Sequence, residues 1–274
     1  MLLLLPPSEV KTSGGTGPPV GRRPRLSTPG LASARGDLVA ALRQAARSDP
    51  DGLAAGLRVP PGLARAAVRA NASVATAPTR AALDRYAGVL YAALDVRTLT
   101  AAGRRRADVE ILVLSGLWGV VRGGDHVPDY RVPASGLVQG LGGVSAHWRR
   151  PLADVLPEVV GNDAVLDLRS TDYGAMWRPA GDLRDRVVAV RVLAERGIGD
   201  RRTVGPVSFH AKTVKGLVVR HLVSARTRHP DPMAALADAA TALDLRLVDT
   251  STATARSADL VGRFTPLRQA RLEP

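Results

Sequence analysis

Residues 110–132 read EILVLSGLWGVVRGGDHVPDYRV, and this stretch decides the fold class. Its apolar run Ile111–Leu114 predicts a buried strand, and Ser115 stands where that strand ends. The segment 122–125 has the glycines of a turn, and the polar residues 129–131 follow it. Ligands of open α/β sheets bind in the crevice outside the strand ends, so polar side chains at this end predict a binding site.

Strand-like and helix-like segments alternate on both sides of this stretch. Apolar and valine-rich runs predict strands at 2–5, 164–168, 187–193, 203–209, 245–249 and 259–264. Helical spacing, with prolines at the joins, predicts helices at 31–48, 61–71, 78–95, 100–107, 145–160, 211–225 and 232–243. This interspersed order favours an α/β (mixed α+β) fold, with a mixed central sheet flanked by helices.

The chain has no internal repeat and no linker after residue 30, so we expect a single domain over residues 1–274. Residues 13–30 are predicted to form a Gly/Pro/Arg-rich loop. The apolar run 2–5 is too short for a signal peptide and has no basic segment before it. No segment approaches the roughly 20 apolar residues of a membrane span. We therefore expect a soluble, cytoplasmic protein with no membrane partner.

Charge is the strongest compositional signal. The formal net charge of +13 favours polyanionic partners, whether nucleic acid, nucleotides or acidic lipid headgroups. The alternative is that arginine is the default surface cation of a chain with a biased composition. Cysteine is absent, which excludes a disulfide framework and a thiolate metal site.

Lysine is rare in a chain that otherwise uses arginine for its cations. Of the 38 lysines and arginines, only Lys11, Lys212 and Lys215 are lysines, and they lie in two short motifs. Lysine is a compact charge whose pKa falls on burial, so this distribution suggests a site where the ammonium group itself matters. The alternative is that three lysines escaped a drift toward arginine.

Four polar clusters directly follow predicted strands, and together they predict one cationic cleft. Lysine and arginine neutralise phosphate, so such a cleft suits a phosphate-bearing ligand. Lys212 is predicted in the first turn of the helix 211–225, where a helix N-terminus favours anions. The alternative is that strand ends are polar because they reach the surface. The cleft residues are Lys11, Arg122, Asp125, Tyr130, Arg131, Ser170, Asp172, Tyr173, Lys212 and Lys215.

Familiar cofactor and metal signatures are missing. No G-x-G-x-x-G opens a helix after a strand, and no G-x-x-x-x-G-K-[ST] loop occurs. There is no H-E-x-x-H, and the five histidines lack the spacing of metal ligands. We therefore expect no cofactor and no metal site.

Four motifs in a fixed order resemble the YaaA family of bacterial peroxide-stress proteins. They are MLLLLPPSEVKT (1–12), LVLSGLWGVVRGGDHVPDYRV (112–132), VLDLRSTDY (165–173) and VSFHAKTVKGLVVRHLV (207–223). The LSGLWGVVR element with the downstream Asp125 and Tyr130-Arg131 is the most specific. The matching positions are Ser8, Lys11, Thr12, Ser115, Gly116, Leu117, Gly119, Arg122, Asp125, Tyr130, Arg131, Trp148, Ser170, Tyr173, Phe209, Lys212, Gly216 and Arg220.

The resemblance implies a mixed α/β fold with a helix-hairpin-helix element and a positively charged cleft. It also implies binding to DNA, including duplexes with unpaired bubbles, and protection from hydrogen peroxide by limiting free iron. The chain departs from the family pattern at three positions: Gly123, where many members have proline; Pro133, where a carboxylate is lost; and Thr213, which is often basic elsewhere. A carboxylate-dependent activity is the part that these departures weaken most.

Three functional hypotheses follow, of which we favour the first. In the first, the protein binds DNA: Lys11, Arg122, Arg131, Ser170, Lys212 and Lys215 contact phosphates, and Tyr130 or Tyr173 stacks on an extruded base. In the second, the same cleft acts on nucleotides or nucleobases, with Lys11, Asp125 or Tyr173 as catalytic candidates. In the third, the protein is an iron-handling or regulatory partner; without cysteine or a histidine cluster, its effect on iron would be indirect.

Overall fold

The computed structural model describes residues 1–20, 26–198, 201–206, 208–227 and 229–264. The predicted loop arginines Arg22, Arg23 and Arg25 lie outside the described residues. The strands are β1 (Leu2–Leu5), β2 (Arg80–Ala81), β3 (Ile111–Ser115), β4 (Gly119–Arg122), β5 (His126–Val127), β6 (Leu137–Val138), β7 (Gly142–Gly143), β8 (Val165–Asp167), β9 (Val187–Ile198), β10 (Arg201–Pro206), β11 (Arg246–Asp249) and β12 (Arg256–Gly262).

Helices connect most of these strands, and three short 3-10 turns accompany them at Pro29–Leu31, Pro61–Leu63 and Val96–Thr98. The helices are α1 (Ala32–Ser48), α2 (Pro50–Gly56), α3 (Ala64–Ser73), α4 (Ala82–Arg85), α5 (Val89–Leu94), α6 (Ala101–Glu110), α7 (Val144–Val160), α8 (Thr171–Gly174), α9 (Leu183–Arg186), α10 (Ser208–Ser224) and α11 (Pro232–Ala242).

Eight strands form one mixed sheet in the order β11-β12-β9-β8-β1-β3-β4, with β10 paired to β9. The strands β12, β9, β8, β1 and β3 are parallel, whereas β4, β10 and β11 pair antiparallel with their neighbours. The carboxyl ends of parallel strands share one edge, so the segments after β1, β3 and β8 emerge side by side. We call this edge, where those three strands end, the carboxyl edge.

The centre of the sheet is fully apolar. β1 consists of four leucines, none more than 4% exposed, and Leu3 lies in register with Ile111 of β3 and Leu166 of β8. A strand buried on both faces reads as a continuous apolar run, which is why 2–5 and 111–114 are recognisable in the sequence. The predicted mixed α/β fold with a helix-flanked central sheet is confirmed.

The predicted helix over 78–95 is wrong. The segment instead forms β2, the single turn α4 and the short helix α5, and Gly88 interrupts them with a φ of 102°. The cause is pairing with the segment that follows β1. Tyr86 forms a β-bridge with Lys11, and the Ala87 N–H donates to the carbonyl of Val10 at 3.0 Å. These contacts override the local helical spacing and bring Tyr86 to the carboxyl edge.

The predicted boundary between the strand 203–209 and the helix 211–225 is also wrong. β10 ends at Pro206, since proline has no N–H to continue the ladder, and α10 already begins at Ser208. Lys212 therefore lies in the second turn of α10. The favourable field of a helix N-terminus falls off within the first turn, so it does not explain an anion site at Lys212.

The described part of the loop 13–30 is attached to the body of the domain. Gly17 exchanges two backbone hydrogen bonds with Thr79, at 2.9 and 3.0 Å. Among the described residues, no helix combines the length and the apolar character that a membrane span requires. The helix-hairpin-helix element implied by the family resemblance stays a prediction.

Candidate functional site

Lys11 lies at the carboxyl edge, in the segment that follows β1. Its Nζ donates a hydrogen bond to the carbonyl of Ser8 at 3.0 Å, and it lies 4.2 Å from the ring centroid of Tyr130 and 5.8 Å from that of Tyr86. Burial lowers the pKa of this amine to about 8, although the negative charges of Glu9 and Asp129 oppose the shift. About a tenth of the Lys11 side chains are therefore neutral at pH 7.

A chain of buried hydroxyl groups adjoins this amine. The Tyr130 hydroxyl lies 2.7 Å from the Tyr86 hydroxyl and 2.6 Å from the Ser115 Oγ at the end of β3. The Ser115 Oγ in turn accepts a hydrogen bond from the backbone N–H of Trp118 at 3.0 Å. Burial raises the pKa of Tyr86 to about 12 and that of Tyr130 well above its ordinary value, so both phenols stay neutral.

All four tyrosines of the chain belong to this site. Tyr91 packs against Tyr86 with ring centroids 5.4 Å apart, and its hydroxyl donates to the carbonyl of Pro6 at 2.8 Å. Tyr173 follows β8, and burial followed by the negative charge of Glu9 raises the pKa of its hydroxyl. We call Lys11, Ser115 and the four tyrosines the lysine–tyrosine site.

Lys215 fixes the segment that follows β8. Its Nζ donates to the carbonyls of Leu168 and Arg169 at 2.8 and 2.9 Å, and burial lowers its pKa to about 8. Arg169 is held by two hydrogen bonds to the carboxylate of Asp167, at 2.8 and 2.6 Å. It also donates to the carbonyl of Tyr173 at 3.1 Å. Lys215 is thus a predicted phosphate contact whose ammonium group is already engaged with backbone carbonyls.

Two buried arginines position the segments around the site. The Arg85 guanidinium donates to the carbonyls of Thr12 and Gly14, directly after Lys11. The Arg35 guanidinium donates to the carbonyls of Trp118 and Val120 at 2.9 and 2.8 Å, next to β4. Both pKa values are lowered by burial, that of Arg35 to about 10. Neither arginine is a surface cation.

Close backbone packing also shapes the carboxyl edge. A Cβ on Gly116 would lie 2.1 Å from the carbonyl oxygen of Val132, so only glycine lets the segment that carries Tyr130 cross the end of β3. The indole of Trp148 donates to the carbonyl of Gly116 at 2.7 Å. These contacts explain why the glycine after Ser115 is part of the motif.

Three other predicted cleft residues keep polar groups at the surface. Ser170 and Lys212 are exposed. Arg131 is partly exposed; its guanidinium lies 3.9 Å from the carboxylate of Glu9, and its backbone N–H donates to Asn71 Oδ1 at 2.8 Å. These residues, rather than the partly buried Lys11 and Lys215, offer exposed cations and a hydroxyl to a ligand.

Asp125 and Arg122 stabilise the turn that follows β4. Asp125 accepts hydrogen bonds from the backbone N–H and the hydroxyl of Ser27, at 3.0 and 2.5 Å, and from the backbone N–H of Arg122 at 2.9 Å. The Arg122 guanidinium donates to the carbonyl of Val109. Asp125 is 7% exposed, and its role as a catalytic candidate stays a prediction.

Tyr130 and Tyr173 are 2% and 7% exposed, so an extruded base cannot stack on either ring unless the residues that cover it move.

The sequence analysis places Tyr86 and Tyr91 in a predicted helix and does not identify them as site residues. Rarity could have identified them, as it identified the lysines: the chain has four tyrosines, and only 3% of its residues are aromatic. In the described part of the chain, no group of three or more His, Asp or Glu side chains could hold a metal ion.

Comparison with known proteins gives a consistent result. A family model described as "Peroxide stress protein YaaA" matches residues 1–243. A UPF0246 protein of Streptomyces coelicolor is 43% identical over 232 residues, which cover 85% of this chain and 86% of that protein. UPF0246 proteins of Corynebacterium efficiens and Methylibium petroleiphilum are 38% and 33% identical, and each match covers 77% of this chain and 82% of the relative. The family resemblance predicted from the motifs is confirmed.

Proposed function

Since this chain belongs to the YaaA peroxide stress protein family, we propose that it acts in peroxide stress by binding DNA at the carboxyl edge of its sheet. The observation that carries the proposal is the convergence of three strand ends on one edge of a strongly basic chain. The segments after β1, β3 and β8 carry Lys11, Tyr130 and Tyr173 of the lysine–tyrosine site, and the net charge is +13. A polyanion is the ligand class that such a field attracts.

The burial of the side chains divides the proposed site into two parts. Lys212, Arg131 and Ser170 keep exposed polar groups and would contact the phosphates. Lys11 is screened by tyrosine rings and would face a nucleotide that enters the site rather than the phosphate backbone. Phosphate contacts position the nucleic acid, and the interior of the site selects what enters it.

Protection from iron-driven damage would then be exerted at the DNA. A protein bound over an unpaired region would cover bases that are otherwise open to oxidants produced by iron and peroxide. We therefore propose duplexes with a bubble, and not only regular duplex, as the preferred ligand.

Fluorescence anisotropy with duplex, bubble and single-stranded oligonucleotides tests this proposal. Wild type should bind the bubble more tightly than the regular duplex, and Lys212→Ala should weaken binding to all three by about the energy of one phosphate contact. Arg97→Ala is the matched control, because it also removes an exposed cation: the Arg97 side chain is 88% exposed. Arg97 follows Asp95, whose carbonyl accepts a hydrogen bond from Arg220 in the second half of α10, whereas Lys212 lies in the first half of that helix. Equal loss in both variants, or no binding at about 0.1 M salt, would refute a DNA site at the carboxyl edge.

A second function, an enzyme acting on nucleotides or nucleobases, is favoured by the surroundings of Lys11. A plain phosphate contact requires an accessible ammonium group, whereas this amine is covered by rings and its pKa is lowered to about 8. A partly neutral lysine can act as a nucleophile or a general base. Long incubation with oligonucleotides that carry oxidised bases should release a free base; if wild type and Lys11→Met give the same products, this function is excluded.

A further inference from the structure

Lys11 has the surroundings of a reactive amine. Among the described residues its Nζ has one hydrogen-bond acceptor, the carbonyl of Ser8, and it faces the rings of Tyr130 and Tyr86. We propose that this amine forms an imine with the aldehyde carbon of a ligand at the lysine–tyrosine site. The inference rests on the proposed function for the location of the site, and it adds the class of ligand that the site would take.

Burial beside the rings shifts the amine of Lys11 toward its neutral form. An ammonium group has three N–H donors, and only one of them has an oxygen partner in the described part of the chain. Glu9 and Asp129 act on Lys11 through space and form no ion pair with it. The ring faces offset a part of the desolvation.

The other two lysines provide a contrast within the same chain. Lys215 is also partly buried, but it donates to two carbonyls at 2.8 and 2.9 Å, and these bonds hold it as a structural cation. Lys212 is exposed on α10 and has no comparable enclosure. Of the three lysines, Lys11 has its amine against aromatic rings and one oxygen partner within the described part of the chain. The neighbouring Glu9 and Val10 are exposed. Lys11 itself is only partly buried, and we place the entry of the ligand on the side of these two residues.

The proposed step balances without an external oxidant or reductant. The nitrogen lone pair adds to the aldehyde carbon, the carbonyl oxygen takes up a proton, and a carbinolamine forms. Loss of its hydroxyl group as water, together with the remaining N–H proton, gives the imine. We assign the delivery of these protons to the hydroxyl chain centred on Tyr130, whose ring lies against the amine and whose hydroxyl lies 2.7 Å from that of Tyr86 and 2.6 Å from that of Ser115.

Two sources of aldehyde share this chemistry. One is the ring-opened sugar of an abasic position in DNA, and the other is a free small aldehyde. The lowered pKa of Lys11 supports reaction with either near neutral pH. At pH 7.5 an amine with a pKa of about 8 is roughly a quarter neutral, whereas a lysine of ordinary pKa is neutral in about one molecule in a thousand.

Reductive trapping tests the proposal in the wild-type chain, so it does not depend on the folding of a variant. The protein is incubated with propanal and sodium cyanoborohydride, and the modified peptides are mapped by mass spectrometry. Only three lysines and the N-terminal amine compete. At pH 7.5 Lys11 should be labelled about tenfold or more faster than Lys212, with a rate midpoint near pH 8. Labelling of Lys11 no faster than that of Lys212 would overturn the proposal.

Two further arms separate the parts of the proposal. Tyr130→Phe keeps the ring and removes the hydroxyl, so labelling of Lys11 should slow while the pH midpoint of the rate stays the same. An unchanged rate would overturn the assignment of the proton relay.

An oligonucleotide with one abasic site should be trapped on Lys11. Labelling by propanal without this crosslink would overturn DNA as the source of the aldehyde, and it would leave the reactive amine in place. Loss of DNA binding in the anisotropy experiment, with propanal labelling intact, would refute only the proposed function.

Discussion

At the scale of single residues, Lys11 places a primary amine where burial favours its neutral form. Because its pKa falls from 10.5 to about 8 on folding, the unfolded chain holds a proton that the folded chain lacks between about pH 8 and pH 10.5. The contribution of Lys11 to the free energy of unfolding is therefore least favourable below pH 8, and it rises with pH across that window. The site holds this amine at the expense of stability at neutral pH.

Lys11→Met should therefore be more stable than wild type at pH 7, by about 1–3 kcal/mol. The difference should shrink as the pH rises from about 8 toward 10.5, because the folded chain has already lost the proton and the unfolded chain loses it as the pH approaches 10.5. Urea unfolding followed by tryptophan fluorescence at pH 7 and pH 9.5 measures it. Lys212→Met is the control and should differ from wild type by the same amount at both pH values. A pH-independent difference for Lys11→Met would contradict the burial of its amine.

The scarcity of lysine identified Lys11 from the sequence, but the same reasoning could not separate the roles of the three lysines. Lys215 and Lys212 are three residues apart on one helix, yet one binds backbone carbonyls and the other is exposed. The burial of two arginines could not be predicted from the sequence either. Arg85 and Arg35 look like any other arginine in a chain rich in this residue, and only the fold shows that they bind carbonyls beside the site.

At the scale of elements, α10 connects the body of the domain to the segment after β8 through Lys215. Lys215→Met should leave the carbonyls of Leu168 and Arg169 without their donor, at a cost of about 1–3 kcal/mol to the local structure. Hydrogen exchange of the amides in 169–174 should speed up by about fivefold to a hundredfold. Lys212→Met, one turn earlier on the same helix, should leave these amides unchanged. Unaltered protection in Lys215→Met would show that other contacts hold the segment.

The packing of α10 on α5 depends on one glycine. A Cβ on Gly216 would lie 2.2 Å from the carbonyl oxygen of Leu90 and 2.8 Å from the Cβ of Ala93. Gly216→Ala should therefore separate the two helices and destabilise the fold by about 1–3 kcal/mol, which corresponds to a fall in Tm of about 2–10 °C.

Gly36→Ala is the matched control for this change. Gly36 lies inside α1, and a Cβ there would meet nothing within 4 Å. The higher helix propensity of alanine should raise the stability of this variant by up to about 1 kcal/mol. Calorimetry of the two variants separates steric conflict from helix propensity, and a Tm of Gly216→Ala at or above that of wild type would disprove the close packing.

The elements that the sequence predicted well are those set by local pattern. The helices α1, α6, α7 and α11 and the strands β1, β3 and β8 have continuous apolar or helical periodicity, and their predicted positions are confirmed. The segment 78–95 failed because its structure is decided by pairing with residues after β1, about 75 positions earlier in the chain. The same long-range pairing assembles the lysine–tyrosine site, so the site could be predicted only in part: its position at the strand ends, but not Tyr86 or Tyr91.

At the scale of the whole molecule, the net positive charge and the lysine–tyrosine site should make separable contributions to the proposed binding of DNA. The surplus of +13 acts on any polyanion, and its effect weakens as salt screens it. Lys11 lies against two tyrosine rings and, in the proposed complex, would release no counterion from a phosphate backbone. Lys212 is exposed and would release one.

The salt dependence of DNA binding should therefore distinguish the two lysines. For duplex DNA the logarithm of the binding constant should fall with the logarithm of salt concentration, with a slope of about −0.9 for each phosphate neutralised. Lys212→Ala should reduce the size of this slope by about 0.9, whereas Lys11→Met should leave it unchanged and alter only the preference for the bubble. Anisotropy titrations between about 50 and about 300 mM KCl measure both slopes. An equal reduction in the two variants would mean that Lys11 contacts phosphate, and the division of the site into an outer phosphate contact and an inner amine would then be wrong.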